Sequence, residues 1–584
     1  MLHLTSADAQ RHSFSNHPAP PRRHRRSWLI AALAGATSLS GGAVHAAGAT
    51  AAQLQQLESQ MEQLEMQNAA EIASLKAQMA QLQAEQAQQS AVVIANSTAV
   101  AKTAASQVFA HMPKVIESKT HQFGLESADG ANKIALVARL QLDGADYLTT
   151  KPEGGKIHGT GPGSNSGEPL ESGVNARRAR IGVTGTFQND WDYRFVYDFG
   201  GSADSVTTGV SGADTSGIEN AYITYQGFNH PNDAIRTSID LGYMDVPWTL
   251  DEATSSADIM FMERSSSQVI ATEFGASDYR SAFGAHTVEP LYWVGAYLTG
   301  PTSGSPHTGA DDPSGAALLR GTVQLLTLPD ASLHVGGDFD HTFQVRAPYI
   351  AQSISCSSTT PYTCTSPPAA VKTNSSYLTL SDRPELRIDP TSILTTGYIP
   401  PRSGDVIEGE VAGTLGPFFM QGEYFHYIID QLRGGVNPSD GTVDKLYPTL
   451  TFNGGYIEAS YAIGGARKYI PGTGAYSTVV PTTPFDIGGG GWGAVEFAAR
   501  YDDVDLNDDI KAGEAPHLTG GVEGGTQQAY TLGVNWYPNI DMKFVFDFQH
   551  TQVDRLKVTT NGTIPTLPAG TTINAIAARA QFSY

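Results

Sequence analysis

The chain has 584 residues, 40% hydrophobic and 16% charged, with 61 glycines, 32 prolines and a formal net charge of −22. Without its first 46 residues it keeps 31 basic and 57 acidic side chains, a net of −26; this argues against nucleic acid as a partner, which needs a basic footprint. Such a length suggests three or four soluble domains, but large β-barrels break that relation.

Residues 1–46 read as a signal peptide. Arg22, Arg23, Arg25 and Arg26 precede the apolar run WLIAALAGA, and Val44-His45-Ala46 supplies small residues at a cleavage site. No later run is long and apolar enough for a transmembrane helix. Residues 47–90 are rich in Gln, Ala, Glu, Leu and Met. Leu54, Leu57, Met61, Leu64 and Asn68 follow a 3,4 spacing that shifts by four residues and resumes as Ile72, Leu75, Met79 and Leu82. That is a coiled-coil seam with a stutter. Residues 91–120 read as a linker.

From about residue 133 the pattern is period two, and the barrel domain is placed at 121–584. In WDYRFVYDF, Trp191, Tyr193, Phe195, Tyr197 and Phe199 oppose Asp192, Arg194, Val196 and Asp198. In MKFVFDFQ, Met542, Phe544, Phe546 and Phe548 oppose Lys543, Val545, Asp547 and Gln549. About sixteen such segments follow from Lys133 onward, with HQFGLES at 121–127 as a lead-in. An outward apolar face and a charged inner face are the outer-membrane barrel pattern, and sixteen strands leave an aqueous channel. The fold class is therefore all-β: an antiparallel transmembrane barrel of about sixteen strands behind an N-terminal coiled-coil helix. Tyr584 ends the last alternating segment, INAIAARAQFSY, as an aromatic carboxy terminus.

Two features interrupt the alternation. MDVPWTLDEATSSADIMFMERSSS at 244–267 is polar, irregular and too long for a hairpin turn. Cys356 and Cys364 lie close together in a Ser/Thr/Pro-rich insertion, where an exported chain would pin a loop with a disulfide; zinc would need two more ligands nearby. No metal site and no cofactor is expected.

RRARIGVTGTFQNDWDYRFVYDFGG at 177–201, IENAYITYQG at 218–227, TSS and MERS within 244–267, RPELRID at 383–389, GPFFMQGEYF at 416–425, EFAARYDDVDLND at 496–508 and YTLGVNWYPN at 530–539 stand in one order. Together these blocks resemble the phosphate- and polyphosphate-selective porins (O/P porins) of Gram-negative outer membranes. The resemblance implies a homotrimer of sixteen-stranded barrels, each with its own pore narrowed by the third long loop. It makes 244–267 the constriction loop, with Asp251, Glu252, Ala257, Asp258, Glu263 and Arg264 as its site residues. A count from Lys133 puts this stretch after a sixth strand, whereas the family's order wants it after the fifth. Phosphate-selecting members carry lysines at positions that fall here on Glu252 and Ala257, with Asp258 beside the second. Only Arg264 is kept.

The polar strand faces supply pore-lining candidates: Arg139, Arg178, Arg180, Arg194, Arg280, Arg320, Arg500, Asp198 and Asp240, within a lining of mixed sign. The expected function is passive diffusion of small hydrophilic solutes or ions through a charged constriction. The expected partners are outer-membrane lipid, the permeating ions and solutes, other copies in a homotrimer, and the cell wall through a periplasmic coiled coil. Two alternatives stand beside this: a phosphate- or anion-selective porin, and a barrel with a mainly structural, envelope-tethering role. An enzyme is not expected. There is no Gly-x-Ser-x-Gly elbow, and His286 and His334 on strands do not make a nucleophile site.

Overall fold

A computed structural model describes residues 51–110, 112–117, 123–148, 170–200, 217–230, 233, 235–275, 280–302, 315–344, 355–356, 364–365, 378–389, 392–397, 399, 401–431, 447–510, 520–556 and 568–584. The signal-peptide segment lies outside them. Helix α1 spans Ala51–Ala110. It continues through most of the segment read above as a linker, because AVVIANSTAVAKTAASQVFA contains neither Gly nor Pro and is rich in Ala, the strongest helix former. Along it Leu57, Met61, Leu64, Ile72, Leu75, Met79 and Leu82 are each more than half exposed.

The barrel strands run β1 Lys133–Tyr147, β2 Gly173–Phe187, β3 Trp191–Asp198, β4 Gly217–Tyr225, β5 Arg236–Met244, β6 Arg280–Val288, β7 Tyr292–Thr302 and β8 Gly315–Leu328. They continue as β9 Ala331–Gln344, β10 Pro401–Leu415, β11 Phe418–Gln431, β12 Leu450–Ile463, β13 Ala494–Asp508, β14 Val522–Tyr537, β15 Met542–Leu556 and β16 Pro568–Ser583. Each pairs antiparallel with its neighbour in sequence. β16 returns to β1, with Ala575 opposite Tyr147 and Ser583 opposite Arg139, which closes the cylinder and removes the sheet edges. The lead-in HQFGLES contributes only a four-residue strand, Phe123–Glu126, which pairs with the start of β1. The terminal Tyr584 hydroxyl accepts the Phe123 amide at 2.8 Å.

The alternation is inside out. On β15, Phe546 and Phe548 face outward, while Lys543, Val545, Asp547 and Gln549 are at most 5% exposed. On β1, Leu136, Leu140 and Leu142 face out, and Gln141 and Asp143 are buried. An apolar exterior around a charged interior suits a bilayer and no aqueous setting. One rim carries long loops, and the other mostly short turns. The third long loop, 245–279, follows β5, the fifth strand. The sequence count of six was one too many, and no strand is split. At the short-turn rim the connections run from two to ten residues, except for one of thirty residues between β12 and β13.

Candidate functional site

Among the described residues, three segments enter the barrel. The third loop is irregular because Pro247 removes a donor and its apolar residues do not alternate. Its turns are set by local caps: the Thr249 and Ser265 side chains accept the amides of Glu252 and Gln268 and start two short helices, α2 (Leu250–Ala253) and α3 (Ser266–Thr272). Val246, Trp248, Leu250, Met260, Phe261 and Met262 are no more than 1% exposed. The loop is thus a packed layer seated on the wall, with Leu250, Met260 and Phe261 clustering against Ala412, Phe419 and Ala498.

A buried irregular backbone must find partners for its polar groups, and here the charged wall supplies them. Glu423 accepts the amides of Leu250 at 2.6 Å and Asp251 at 3.1 Å. Asp502 accepts those of Ser266 and Ser267, and Asp547 that of Met262. Asn535, Lys543, Arg579 and Gln581 donate to the carbonyls of Met260, Ile259, Met262 and Ala257. Glu263 is held by Arg177 at 2.7 and 2.9 Å and by Arg579 at 2.8 Å. Burial alone would raise the Glu263 carboxyl, but Arg177 and Arg579 outweigh it and hold it at about 2.

The other two segments pack against this loop. In the fifth long loop, the Ser381 amide donates to Glu273, and Glu385 accepts from Arg500, Thr531 and Gln549. From the short-turn rim, the connection 464–493 reaches the third loop. Arg467 there pairs with Glu496 at 2.7 and 2.9 Å and donates to the Asp258 carbonyl at 2.6 Å. Sequence reasoning placed neither inside the barrel: it read the first only as a cysteine-bearing insertion and did not single out the second. The signal available for the second was its length at a rim of short turns.

A cavity of about 890 Å³ remains between the third loop and the wall of β1–β7. Its described basic side chains are Lys133, Arg139, Arg180, Arg194 and Arg236. Its acidic ones are Asp192, Glu219, Asp240, Asp245 and Glu252. Most engage one another or a nearby polar group. Arg180 bonds Asp198 at 2.8 Å and also Glu219, Arg194 bonds Asn220 at 2.9 Å, and Arg139 holds Ser255 and Ser256 of the loop. Asp240 accepts from Thr224 and Tyr297 and meets His286 Nδ1 at 2.6 Å.

Of the predicted lining residues, Arg139, Arg180, Arg194 and Asp240 reach this cavity. The others lie elsewhere, taken up by contacts that period-two reasoning does not resolve. Arg178 donates to Gln141, and Arg280 to the Gly300 carbonyl. Arg320 lies beneath 464–493, bound to Glu410 and to the carbonyls of Thr473 and Gly474. Arg500 lies beneath the loops, bound to the Glu263 carbonyl and to Glu385. Asp198 closes on Arg180.

Within the constriction loop, Glu252 takes Arg264 at 2.8 Å and Gln268 at 2.8 Å. Ala257 is buried, and Asp258, half-buried, stands near Arg139, Arg467 and Lys543. Burial raises Asp258 despite those cations, and raises Asp251 against the pull of Arg264 and Arg500. Cys356 and Cys364 are register partners in a two-residue ladder.

The family model for phosphate-selective porin O and P matches residues 159–584. Porin O of Pseudomonas aeruginosa is 25% identical over 392 residues, covering 65% of this chain and 77% of that protein. An uncharacterised protein of Caulobacter vibrioides is 28% identical over 171 residues, 28% of each chain. Among solved structures, the outer-membrane protein OmpT of Vibrio cholerae matches at 10% identity with a TM-score of 0.40, over 78% of this chain and all of that one. With nearly three quarters of its length matched by one family model and a closed sixteen-stranded barrel narrowed from within, the chain belongs to the phosphate-selective porin O and P family and is an outer-membrane porin.

Proposed function

We propose that this porin passes small hydrophilic ions and solutes of either sign and does not filter for phosphate. The observation that carries the reading is the Arg264–Glu252 pair. The one cation kept from the family's constriction pattern is neutralised by the carboxylate standing at a lysine position. A phosphate dianion gives up its hydration only to several cationic donors together. The described cavity instead offers five basic and five acidic groups. The test is reversal potential in a planar bilayer under a KCl gradient, followed by titration with phosphate. Similar permeabilities for K⁺ and Cl⁻, with no block by phosphate, are expected. Strong anion preference with phosphate block would overturn the reading.

A second role rests on α1. Its exposed seam of Leu, Met and Ile has no partner within the described helix unit, and isolated helices of this kind are marginal in water. We infer that it self-associates as a periplasmic coiled coil within a homotrimer, where it also stands within reach of the cell wall. Replacing Leu64 and Leu75 by Lys should cut the thermal stability of the trimer and leave the folded barrel intact. An unchanged temperature of trimer dissociation in the variant sinks this idea. Binding of the full chain, but not one lacking 47–110, to isolated peptidoglycan is the corresponding check on wall contact.

A further inference from the structure

Strands β9, β10 and β11 place acids on neighbouring inward positions: Asp338 is opposite Glu408, and Glu410 is opposite Glu423. One oxygen from each of the four lies within 4.8 Å of the others. All four residues are at most 5% exposed. Like charges directly opposite on a sheet repel, and a buried charge needs compensation. Arg320 serves Glu410 at 3.1 and 3.3 Å and comes no nearer than 3.8 Å to Asp338. His334 also serves Glu410, at 2.6 Å. Glu423 takes the two loop amides and the Tyr456 hydroxyl, at 2.5 Å.

Glu408 is the residue left over. Neither of its oxygens meets a hydrogen-bond donor, and its charged neighbours are Asp338, Glu423 and Glu410. Both Asp338 oxygens also lack a hydrogen bond. A buried, unpartnered carboxylate thus points into a nest of three more. We propose that these four side chains bind a Ca²⁺ ion that ties the constriction loop to the barrel wall. The donors are all hard oxygens. Four protein carboxylates suit the flexible shell of about six to eight oxygens around Ca²⁺ better than Mg²⁺, which demands near-ideal octahedral geometry and keeps several waters. Glu423 would hold the ion on one side and the start of α2 on the other. The ion would therefore set how firmly the loop is seated.

The competing arrangement is a proton shared between Asp338 and Glu408 with no ion. Full-length protein in detergent, stripped of divalent ions, is titrated with Tb³⁺ and then Ca²⁺. Tyr456, next to Glu423, should sensitise Tb³⁺ emission, and Ca²⁺ should quench it by displacement at a single saturable site per protomer. Glu408→Gln should weaken that site roughly tenfold or more, with Asp338→Asn as the second variant if the first does not fold. Ca²⁺ uptake is read independently by equilibrium dialysis of the wild type and both carboxylate variants. No Ca²⁺-displaceable emission, or equal Ca²⁺ uptake by wild type and both carboxylate variants, overturns the proposal; the first result fits the shared proton and the second fits ions held by lipopolysaccharide or surface acids.

Discussion

Glu263→Gln should unseat the constriction loop and leave the barrel standing. Glu263 is gripped by two wall arginines, Arg177 on β2 and Arg579 on β16, and Arg579 is itself fixed by Asp143 through two bonds of 2.7 Å. All lie at or below 5% exposure. Removing one partner from a buried ion pair costs about 3–5 kcal/mol, mostly because the opposite charge stays buried. The barrel's own hydrogen bonds do not pass through this residue, so the loss falls on the loop. A larger, noisier single-channel conductance is expected, together with exposure of Trp248, which is 1% exposed in the seated loop. Wild-type conductance and noise in the variant would refute the anchoring role.

Acid should reproduce the effect. The folded carboxyl is held at about 2, below its ordinary value. Its contribution to seating is therefore complete above about pH 4.5 and is lost as pH falls through about 2. Channel noise from this anchor should stay low at pH 4 and rise steeply toward pH 2. Glu263→Gln should be noisy across that window without the step.

The barrel was legible because lipid and water impose one rule on every strand. Phe195, Phe283, Leu298 and Phe546 face out, and their neighbours do not. Each predicted strand overlaps an observed one for that reason. The rule names a face and says nothing about what covers it. Arg139 and Arg320 read alike in sequence, yet one borders the cavity and the other lies beneath residues 473 and 474. Arg500 meets Glu385, 115 residues away, through a loop whose path no local pattern encodes. The same limit hid the four-acid cluster. It arises from the register of three strands, and a slip of one residue would turn its members to the lipid. What composition did carry was the mixed sign of the lumen. Its physical basis is now visible: much of that charge serves as hydrogen-bond partners for an irregular loop.

On the proposed reading, selectivity turns on a smaller change, at Glu252. Its carboxylate lies 2.8 Å from Arg264 Nε, while another guanidinium nitrogen of Arg264 donates to the Thr254 carbonyl at 3.2 Å. Glu252→Gln removes one negative charge yet keeps an acceptor for Arg264 and Gln268, so the loop should stay seated. Glu252 borders the cavity, and the uncompensated positive charge then acts on passing ions. At ~4 Å in water a unit charge is worth about 1 kcal/mol, which favours Cl⁻ and opposes K⁺ by roughly fivefold each, so the Cl⁻ to K⁺ permeability ratio should rise by up to roughly twenty-five-fold, with phosphate beginning to compete with chloride. Adding Arg264→Gln should bring the ratio back to the wild-type value. That return separates charge from shape, because the double variant restores neutrality without restoring either native side chain. If Glu252→Gln alone leaves the reversal potential where it was, the pair does not govern permeation, and the missing lysines are not what departs from a phosphate filter.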